Sequence, residues 1–145
     1  MAGKATVHAS AVLVGAKAVL IRGPSGAGKS RLAFDLILAA ETGALPFARL
    51  VADDRAMLEA HQTLLLVRPP PNLAGLLEVR GLGIRRLPYE PVAAVGLVVE
   101  VGGKGERMPE AGPVTLEGIS LPQLTIPRHS DPLAFLLAAL RTSGI

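Results

Sequence analysis

The pattern of hydrophobic and polar positions predicts strands and one helix in the first part of the chain. Mostly apolar runs at 5–14 and 17–22 flank Gly15–Ala16, which predicts two strands joined by a tight turn. From Lys29 to Glu41 the apolar residues recur instead at intervals of three and four positions. This spacing predicts an amphipathic helix, which Gly43 is suited to end.

Strands dominate the middle of the chain. They are predicted at 48–54, at 63–67, at 92–101 as a central strand, and within 114–126. Pro69–Pro71 ends the second of these, because proline lacks the N–H group that an inner strand needs. The segment 76–87 mixes apolar residues, charges and two glycines, and we place it partly in a loop.

A second, shorter helix is predicted near the end of the chain, at 130–140. Either Ser130 or Asp131 is its N-cap, and Pro132 stands at the first helical position. The elements together predict a single α/β domain, residues 1–145, with a mixed β-sheet around a central helix. An evenly alternating βαβ array is not expected, because strands outnumber helices.

Composition excludes several classes of protein. Half of the 145 residues are hydrophobic, which supports a sizeable core and excludes disorder. Cysteine is absent, so disulfides and thiolate metal sites are excluded and a reducing compartment is favoured. No apolar run is long enough to span a bilayer, and the first residues lack a signal-peptide pattern. We therefore predict a cytoplasmic protein that acts at no membrane.

The charge pattern argues against nucleic acid as a partner. The formal net charge is +3, the basic residues are scattered, and no aromatic residues are interleaved with them for base stacking. A mildly basic protein of this kind suits an anionic ligand or an acidic protein partner. The abundance of leucine and alanine in so small a chain also suggests that other subunits cover part of its surface.

The segment GPSGAGKS is the strongest chemical motif. It fits G-x-x-x-x-G-K-[ST], and it follows a predicted strand and opens a predicted helix, which is the context that a phosphate-binding loop requires. The predicted nucleotide-binding residues are Gly23, Pro24, Ser25, Gly26, Ala27, Gly28, Lys29 and Ser30. Lys29 can reach the β- and γ-phosphates and the Ser30 hydroxyl can ligate Mg²⁺, so the motif predicts a nucleotide such as ATP, or pyrophosphate, bound with Mg²⁺. The alternative interpretation is a glycine-rich turn that contains a lysine by chance.

Two adjacent carboxylates end the predicted strand at 48–54. Asp53 and Asp54 stand where a phosphate-loop enzyme needs an acidic residue to orient Mg²⁺. Neighbouring strand residues point to opposite faces, so one carboxylate can face the metal while the other faces an acceptor. The pair can equally cap a turn. Spacing alone does not assign the two roles.

Four segments, in order, resemble the catalytic domain of bacterial HPr kinase/phosphorylase: VHASAVLV, GPSGAGKS, LVADD and LEVRGLGIRRL. The last of them is the most particular to that family. The match runs from Thr6 to Ile84 and, more loosely, to residue 127. No counterpart of the family's N-terminal domain is found, so the chain resembles the short single-domain form of some alphaproteobacteria. The implied fold is the phosphate-loop fold of HPr kinase and phosphoenolpyruvate carboxykinase.

The resemblance implies an enzyme of sugar-transport regulation. In the forward direction such an enzyme is a Mg²⁺-dependent kinase that transfers the γ-phosphoryl group of ATP to a seryl residue of HPr, the phosphocarrier protein of the sugar phosphotransferase system. In the reverse direction inorganic phosphate attacks the phosphoserine and pyrophosphate forms. A homo-oligomer is implied as well, which in the family is a hexamer.

The resemblance also assigns site residues. Its catalytic residues fall on His8, Lys29, Asp54 and Arg107, and Asp54 is the one that takes the serine proton. Its Mg²⁺ ligands fall on Ser30 and Glu78, to which the strand argument adds Asp53 as a further candidate. Outside the resemblance, His8, Glu78 and Arg107 have the features of ordinary core or surface residues.

The chain departs from the family pattern after LTIP. There it has RHSDPL and retains only Arg128 of a basic, glycine-containing loop, and its C-terminal helical region is reduced to one helix. These departures leave open the phosphorylase direction and the hexamer, and the sequence as a whole does not decide between ATP and pyrophosphate as the donor. Two other functions also stay open, namely a small-molecule kinase with the same loop and an ATP-sensing regulator without transfer activity.

Overall fold

The computed structural model describes residues 4–102 and 112–144. Two α-helices lie in these ranges, α1 (Lys29–Glu41) and α2 (Pro132–Arg141). The strands are β1 (Lys4–Val7), β2 (Ala9–Val14), β3 (Lys17–Arg22), β4 (Ala48–Ala52), β5 (Ala56–His61), β6 (Leu64–Arg68), β7 (Leu76–Val79), β8 (Gly83–Arg86), β9 (Ala93–Glu100), β10 (Val114–Leu116), β11 (Ile119–Leu121) and β12 (Gln123–Thr125).

One large sheet organises the domain. Its strands follow the order β1-β5-β6-β9-β3-β2-β4, and β12 is a further partner of β9. β9 runs parallel to β3 and to β12, whereas the other pairs in the sheet are antiparallel. The predicted mixed sheet, with 92–101 as a central strand, is therefore confirmed. β7 and β8 form a separate hairpin, and so do β10 and β11.

The central strands of the sheet are buried on both faces. On one face α1 packs through Leu32, Ala33, Leu36 and Ala39, together with Leu136 of α2. On the other face a second apolar cluster forms, against which the hairpin of β10 and β11 packs. Because successive strand residues point to opposite faces, β2 gives Val12 to the helix side and Ala11 to the other side. This double burial explains why the central strands consist of nearly continuous apolar runs.

Both helices agree with the sequence pattern. α1 has the predicted bounds, and Gly43 follows it with φ of 86°, a left-handed conformation that suits the end of a helix. In α2 the N-cap is Asp131, whose carboxylate accepts from the N–H groups of Leu133 (3.1 Å) and Ala134 (3.3 Å). Neither helix in the described ranges is long and apolar enough to cross a membrane.

Three features of the strands differ from expectation. The segment 76–87 forms the β7–β8 hairpin rather than lying partly in a loop, because Gly81 and Gly83 adopt the positive φ angles that its tight turn requires. The run at 5–14 is divided at His8, and its first part pairs with β5 instead of β3. β5 itself was not predicted, since AMLEAH consists mostly of helix-favouring residues that pairing with β1 and β6 holds extended.

Candidate active site

A glycine-rich loop joins β3 to α1 and begins against the end of β9. The N–H group of Val101 donates to the Arg22 carbonyl (2.8 Å). A Cβ at Gly23 would lie 2.3 Å from the Val101 carbonyl oxygen, so only glycine fits there. Gly28 is the N-cap of α1 with φ of 95°, which turns the chain into the helix. The loop therefore ends at the free N–H groups of a 13-residue helix, a favourable place for an anion.

Lys29 folds back along this loop. Its Nζ donates to the carbonyl oxygens of Gly23 (2.7 Å) and Pro24 (3.0 Å). The loop is closed upon itself by a hydrogen bond from the N–H of Ala27 to the Pro24 carbonyl (3.1 Å). The charged ammonium group of Lys29 therefore lies against the glycine-rich loop that leads into the N-terminus of α1.

Asp53 is a buried carboxylate that joins three elements. It is 5% exposed. The Ser30 hydroxyl of α1 lies 2.7 Å from Oδ1 and 2.9 Å from Oδ2. The Ser10 hydroxyl of β2 donates to Oδ1 (2.7 Å), and the backbone N–H of Glu78 in β7 donates to Oδ2 (3.1 Å). One side chain therefore links the glycine-rich loop, the sheet and the β7–β8 hairpin.

A β-bulge determines which of the two aspartates takes this position. Ala11 of β2 lies opposite Ala52, but the next residue, Val12, lies opposite Leu50, so Val51 is an extra residue in β4. Leu50 packs on the helix side, whereas Val51 and Ala52 both contribute to the cluster on the other side. Asp53 consequently points to the helix side, where Ser10 and Ser30 lie. Strict alternation from Leu50 would have turned Asp54 there instead.

Asp54 lies beside this network and faces solvent. Its φ is 69°, a left-handed conformation that aspartate tolerates better than most residues. The turn is fixed by a hydrogen bond from the N–H of Arg55 to the Asp53 carbonyl (2.7 Å). The Asp54 side chain is exposed and forms no hydrogen bond or ion pair with another residue in the described ranges. Its carboxylate is accessible to a molecule that approaches the loop.

The segment that carries His8 runs beside the two aspartates. Val7 lies opposite Ala56, and Ala11 lies opposite Ala52, which is the same antiparallel register. The residues in between, 8–10 and 53–55, therefore lie side by side, as the Ser10–Asp53 hydrogen bond shows. His8 is exposed at this position.

Glu78 approaches the same place from the hairpin. Its backbone binds Asp53 while its side chain is exposed. The structure thus brings the backbone segments of His8, Asp54 and Glu78 around the Asp53–Ser30 contact. Arg107, the remaining predicted site residue, lies outside the described residues.

Two interactions near the loop were not anticipated from the sequence. Ser10 contacts Asp53, and its only signal in the sequence is a hydroxyl residue inside the apolar run of VHASAVLV. At the ends of the parallel strands β3 and β9, Arg22 pairs with Glu100 (Nε to Oε1, 2.7 Å), and Gln123 also donates to Glu100 (3.3 Å). This ion pair stands immediately before Gly23 and links β3, from which the loop leaves, to its neighbour β9.

The oxygen atoms gathered here are of the kind that Mg²⁺ prefers. A serine hydroxyl and carboxylates are available from Ser30, Asp53 and Glu78. Across residues 4–102 and 112–144, no group of three or more histidine, aspartate or glutamate side chains is arranged to hold a metal by itself. Mg²⁺ usually combines one or two carboxylates with substrate phosphates, so this donor set fits an ion that binds together with a nucleotide.

Comparison with known proteins points to one family. Residues 1–87 match the family model of the HPr Serine kinase C-terminal domain. The HPr kinase/phosphorylase of Shouchella clausii is 43% identical over 79 residues, which cover 54% of this chain and 23% of that protein. The enzyme of the same name from Limosilactobacillus reuteri is 28% identical over 141 residues, covering 88% of this chain and 42% of that protein. The chain thus spans less than half the length of these relatives.

A solved structure extends the likeness to nearly the whole chain. The HPr(Ser) kinase/phosphatase from Coxiella burnetii superposes with a TM-score of 0.79 at 25% sequence identity, and the match covers 94% of each chain. The expected α/β fold with a mixed sheet is confirmed by this match. It also shows that the similarity continues beyond residue 87, where the family model ends.

Proposed function

The chain belongs to the HPr serine kinase C-terminal domain family, and on that premise we propose that it is a Mg²⁺-dependent protein kinase. The donor is ATP, and the acceptor is a seryl hydroxyl on a phosphocarrier protein of the HPr type. The observation that carries the proposal is the contact of Ser30 with the buried Asp53, beside the exposed Asp54. It unites a phosphate-loop serine, a metal-orienting carboxylate and an accessible proton acceptor.

The loop supports the binding of ATP. Gly23 through Ser30 form a phosphate-binding loop in which the α1 N-terminus, the loop amides and Lys29 offer positive charge to the phosphates. Ser30, Asp53 and Glu78 would hold Mg²⁺, which neutralises phosphate charge when bound. Because Ser30 already touches Asp53, the hydroxyl and the carboxylate need little rearrangement to serve one ion.

Asp54 is suited to act as the base. A serine hydroxyl is a weak nucleophile, and a carboxylate within hydrogen-bond reach can take its proton as the new P–O bond forms. The bond from the γ-phosphorus to the bridging oxygen breaks in the same step, and ADP leaves. Asp54 is exposed and adjacent to Asp53, so it can meet an acceptor without displacing the metal-orienting carboxylate. His8, on the neighbouring segment, would help to orient the acceptor.

The surface around the site favours a protein as the acceptor. The β7–β8 hairpin extends from the Glu78–Asp53 contact, and its residues 80–86 are all exposed. Leu82 is 63% exposed and Ile84 62% exposed. A small-molecule kinase usually closes over its substrate to exclude water. Among the residues that the structure describes, Asp54, Glu78 and the hairpin residues 80–86 are exposed, which suits a macromolecular acceptor.

The experiment is phosphoryl transfer to a carrier. Purified protein is incubated with γ-labelled ATP, Mg²⁺ and the HPr proteins of its own organism, and the labelled residue is identified by mass spectrometry. Label on a serine of HPr supports the proposal, and an HPr variant with alanine at that serine is the control. Label on a metabolite would indicate a small-molecule kinase, whereas nucleotide binding without transfer would indicate a sensor.

Two further expectations concern the reverse reaction and assembly. Phosphoserine-HPr, inorganic phosphate and Mg²⁺ should yield pyrophosphate if Arg128 suffices for the phosphorylase direction. Arg128 lies in a short turn, closed by a hydrogen bond from the N–H of Ser130 to the Pro127 carbonyl (3.1 Å), that leads directly into α2. Sedimentation equilibrium tests the predicted homo-oligomer separately.

A further inference from the structure

Ser10 is a polar residue in a place where the fold favours an apolar one. It lies in β2 between Ala9 and Ala11, and all three residues are fully buried. Val12, two residues after Ser10 and on the same face of β2, packs in the apolar cluster under α1. A buried hydroxyl costs free energy unless it is hydrogen-bonded. The partner of Ser10 is Asp53 Oδ1 at 2.7 Å.

Asp53 accepts from Ser30, the Glu78 N–H and Ser10, and these three donors differ in their other possible roles. Ser30 contacts both carboxylate oxygens, but its own oxygen is also a candidate ligand for Mg²⁺. The Glu78 N–H holds Oδ2 from the hairpin. Ser10 is the side-chain donor from the sheet, and it holds Oδ1 from a strand that is buried and paired on both edges. Together, Ser10 and the Glu78 amide fix the rotation of the carboxylate from two sides.

We propose that Ser10 is a positioning residue for the metal site, because its hydroxyl locks the Asp53 carboxylate in the orientation that faces Ser30. The proposal rests on the proposed function only in taking Mg²⁺ with a nucleotide as the ligand. When the ion engages the Ser30 oxygen, loss of Ser10 leaves the Glu78 N–H to hold the carboxylate at Oδ2 alone. The carboxylate can then rotate and loses part of its alignment with the ion. Removal of outer hydrogen-bond partners of metal ligands commonly weakens metal binding about 10- to 100-fold.

The test compares three variants. Ser10→Ala removes the donor with little change of volume, and Ser10→Thr restores a hydroxyl with a side chain that suits a strand. Val12→Ala is the matched control, since it removes a buried side chain from the same face of the same strand but touches no carboxylate. Thermal melts establish that each variant is folded.

The principal readout is metal binding rather than activity. Dissociation constants are measured for Mn²⁺, as a paramagnetic substitute for Mg²⁺, by electron paramagnetic resonance with a non-hydrolysable ATP analogue. We expect Ser10→Ala to raise the Mn²⁺ constant about 10-fold or more, and its binding of nucleotide in EDTA to change by less than about two-fold. Ser10→Thr should recover most of the Mn²⁺ affinity. Val12→Ala should lower Tm and leave the Mn²⁺ constant unchanged.

Two results with the variants would overturn the assignment. One is a Mn²⁺ constant for Ser10→Ala within about two-fold of the unsubstituted protein, whether or not Ser10→Thr folds. The other is an equal loss of Mn²⁺ affinity in Val12→Ala, which would reveal a general effect of a weakened core. If the unsubstituted protein binds Mn²⁺ and nucleotide but phosphorylates no protein, the kinase proposal fails while the role of Ser10 stands. Absence of Mn²⁺ binding by the unsubstituted protein would overturn both.

Discussion

The two sides of the candidate site differ in how they are held. On the inner side, Ser10, Asp53 and Ser30 form a hydrogen-bonded chain in which Ser10 and Asp53 are almost entirely buried. On the outer side, the side chains of Asp54 and Glu78 are exposed. A single β-bulge at Val51 separates the two aspartates into these environments.

Under the proposed function, this difference separates two tasks. Groups that receive phosphate and metal benefit from being aligned before the ligand arrives, because alignment during binding would cost affinity. Groups that meet a protein acceptor must be reachable, so they lie on a surface that the acceptor itself will cover. Substitutions on the inner side should therefore alter metal binding and stability, whereas substitution of the exposed Asp54 should alter transfer alone.

Asp54→Asn should have the largest effect. Loss of the proposed base is expected to lower kcat for transfer to the carrier by about 10²- to 10⁴-fold. The affinity for Mg²⁺–nucleotide and the Tm should stay close to their original values, because Asp54 is exposed and asparagine tolerates its left-handed backbone. Rapid-quench kinetics and titration with a fluorescent ATP analogue measure the two quantities. An Asp54→Asn enzyme that transfers phosphate at a normal rate would remove the base assignment.

The same contrast extends into the β7–β8 hairpin. Leu77, which precedes Glu78, is 1% exposed and packs in the cluster under α1, whereas Ile84 on the opposite strand is 62% exposed. Leu77→Ala should reduce the free energy of unfolding by about 2–5 kcal/mol, and Ile84→Ala by less than about 0.5 kcal/mol. Urea denaturation followed by circular dichroism measures both. Equal losses in the two variants would mean that the hairpin is covered in solution.

Much of the fold could be predicted from the sequence because hydrophobic periodicity is a local property. α1 has the predicted bounds, and the apolar run at 92–101 contains the central strand β9. β5 was missed because its pairing with β1 and β6 comes from distant parts of the chain. Residue types alone could not show that Gly81 and Gly83 close a hairpin rather than interrupt a loop.

The site illustrates the same limit in finer detail. The sequence identified both aspartates but could not assign them, since the assignment depends on one extra residue in β4. The pairing of β4 with β2 decides where such a bulge lies, and no residue of the segment LVADD indicates it. Ser10 escaped notice for a similar reason, because a serine in a strand has meaning only once the carboxylate opposite it is known.

Asp53→Asn should reduce the free energy of unfolding by less than Leu77→Ala does, but by more than Asp54→Asn does. Asparagine accepts through one oxygen only, so two serine hydroxyls and the Glu78 N–H no longer share a charged acceptor. We expect a loss of about 1–3 kcal/mol in the free energy of unfolding. Asp54→Asn, measured alongside, should change it by less than about 0.5 kcal/mol. Indistinguishable unfolding curves for the two variants would contradict the division into an inner and an outer side.

Asp35, on α1, is a partly buried carboxylate that forms an ion pair with Arg31. Partial burial raises its pKa, an effect that the nearby Arg31 opposes and the Asp131 carboxylate reinforces. Arg31 lies 3.7 Å from it, with its side chain largely in solvent. The folded protein therefore binds the Asp35 proton more tightly than the unfolded chain does. The contribution of this group to stability is fullest below its ordinary pKa of 3.8 and is lost as the pH rises through the higher folded value.

The smallest effect is consequently expected for Asp35→Asn. At pH 7 the substitution removes a charge that the fold disfavours, so Tm should rise, by no more than about 2 °C. At pH 3, where the carboxyl group is already mostly protonated, the two proteins should melt together. Asp54→Asn, measured alongside, is the control for the loss of one negative charge at an exposed position. A lower Tm for Asp35→Asn at pH 7 would mean that the Arg31 ion pair outweighs burial.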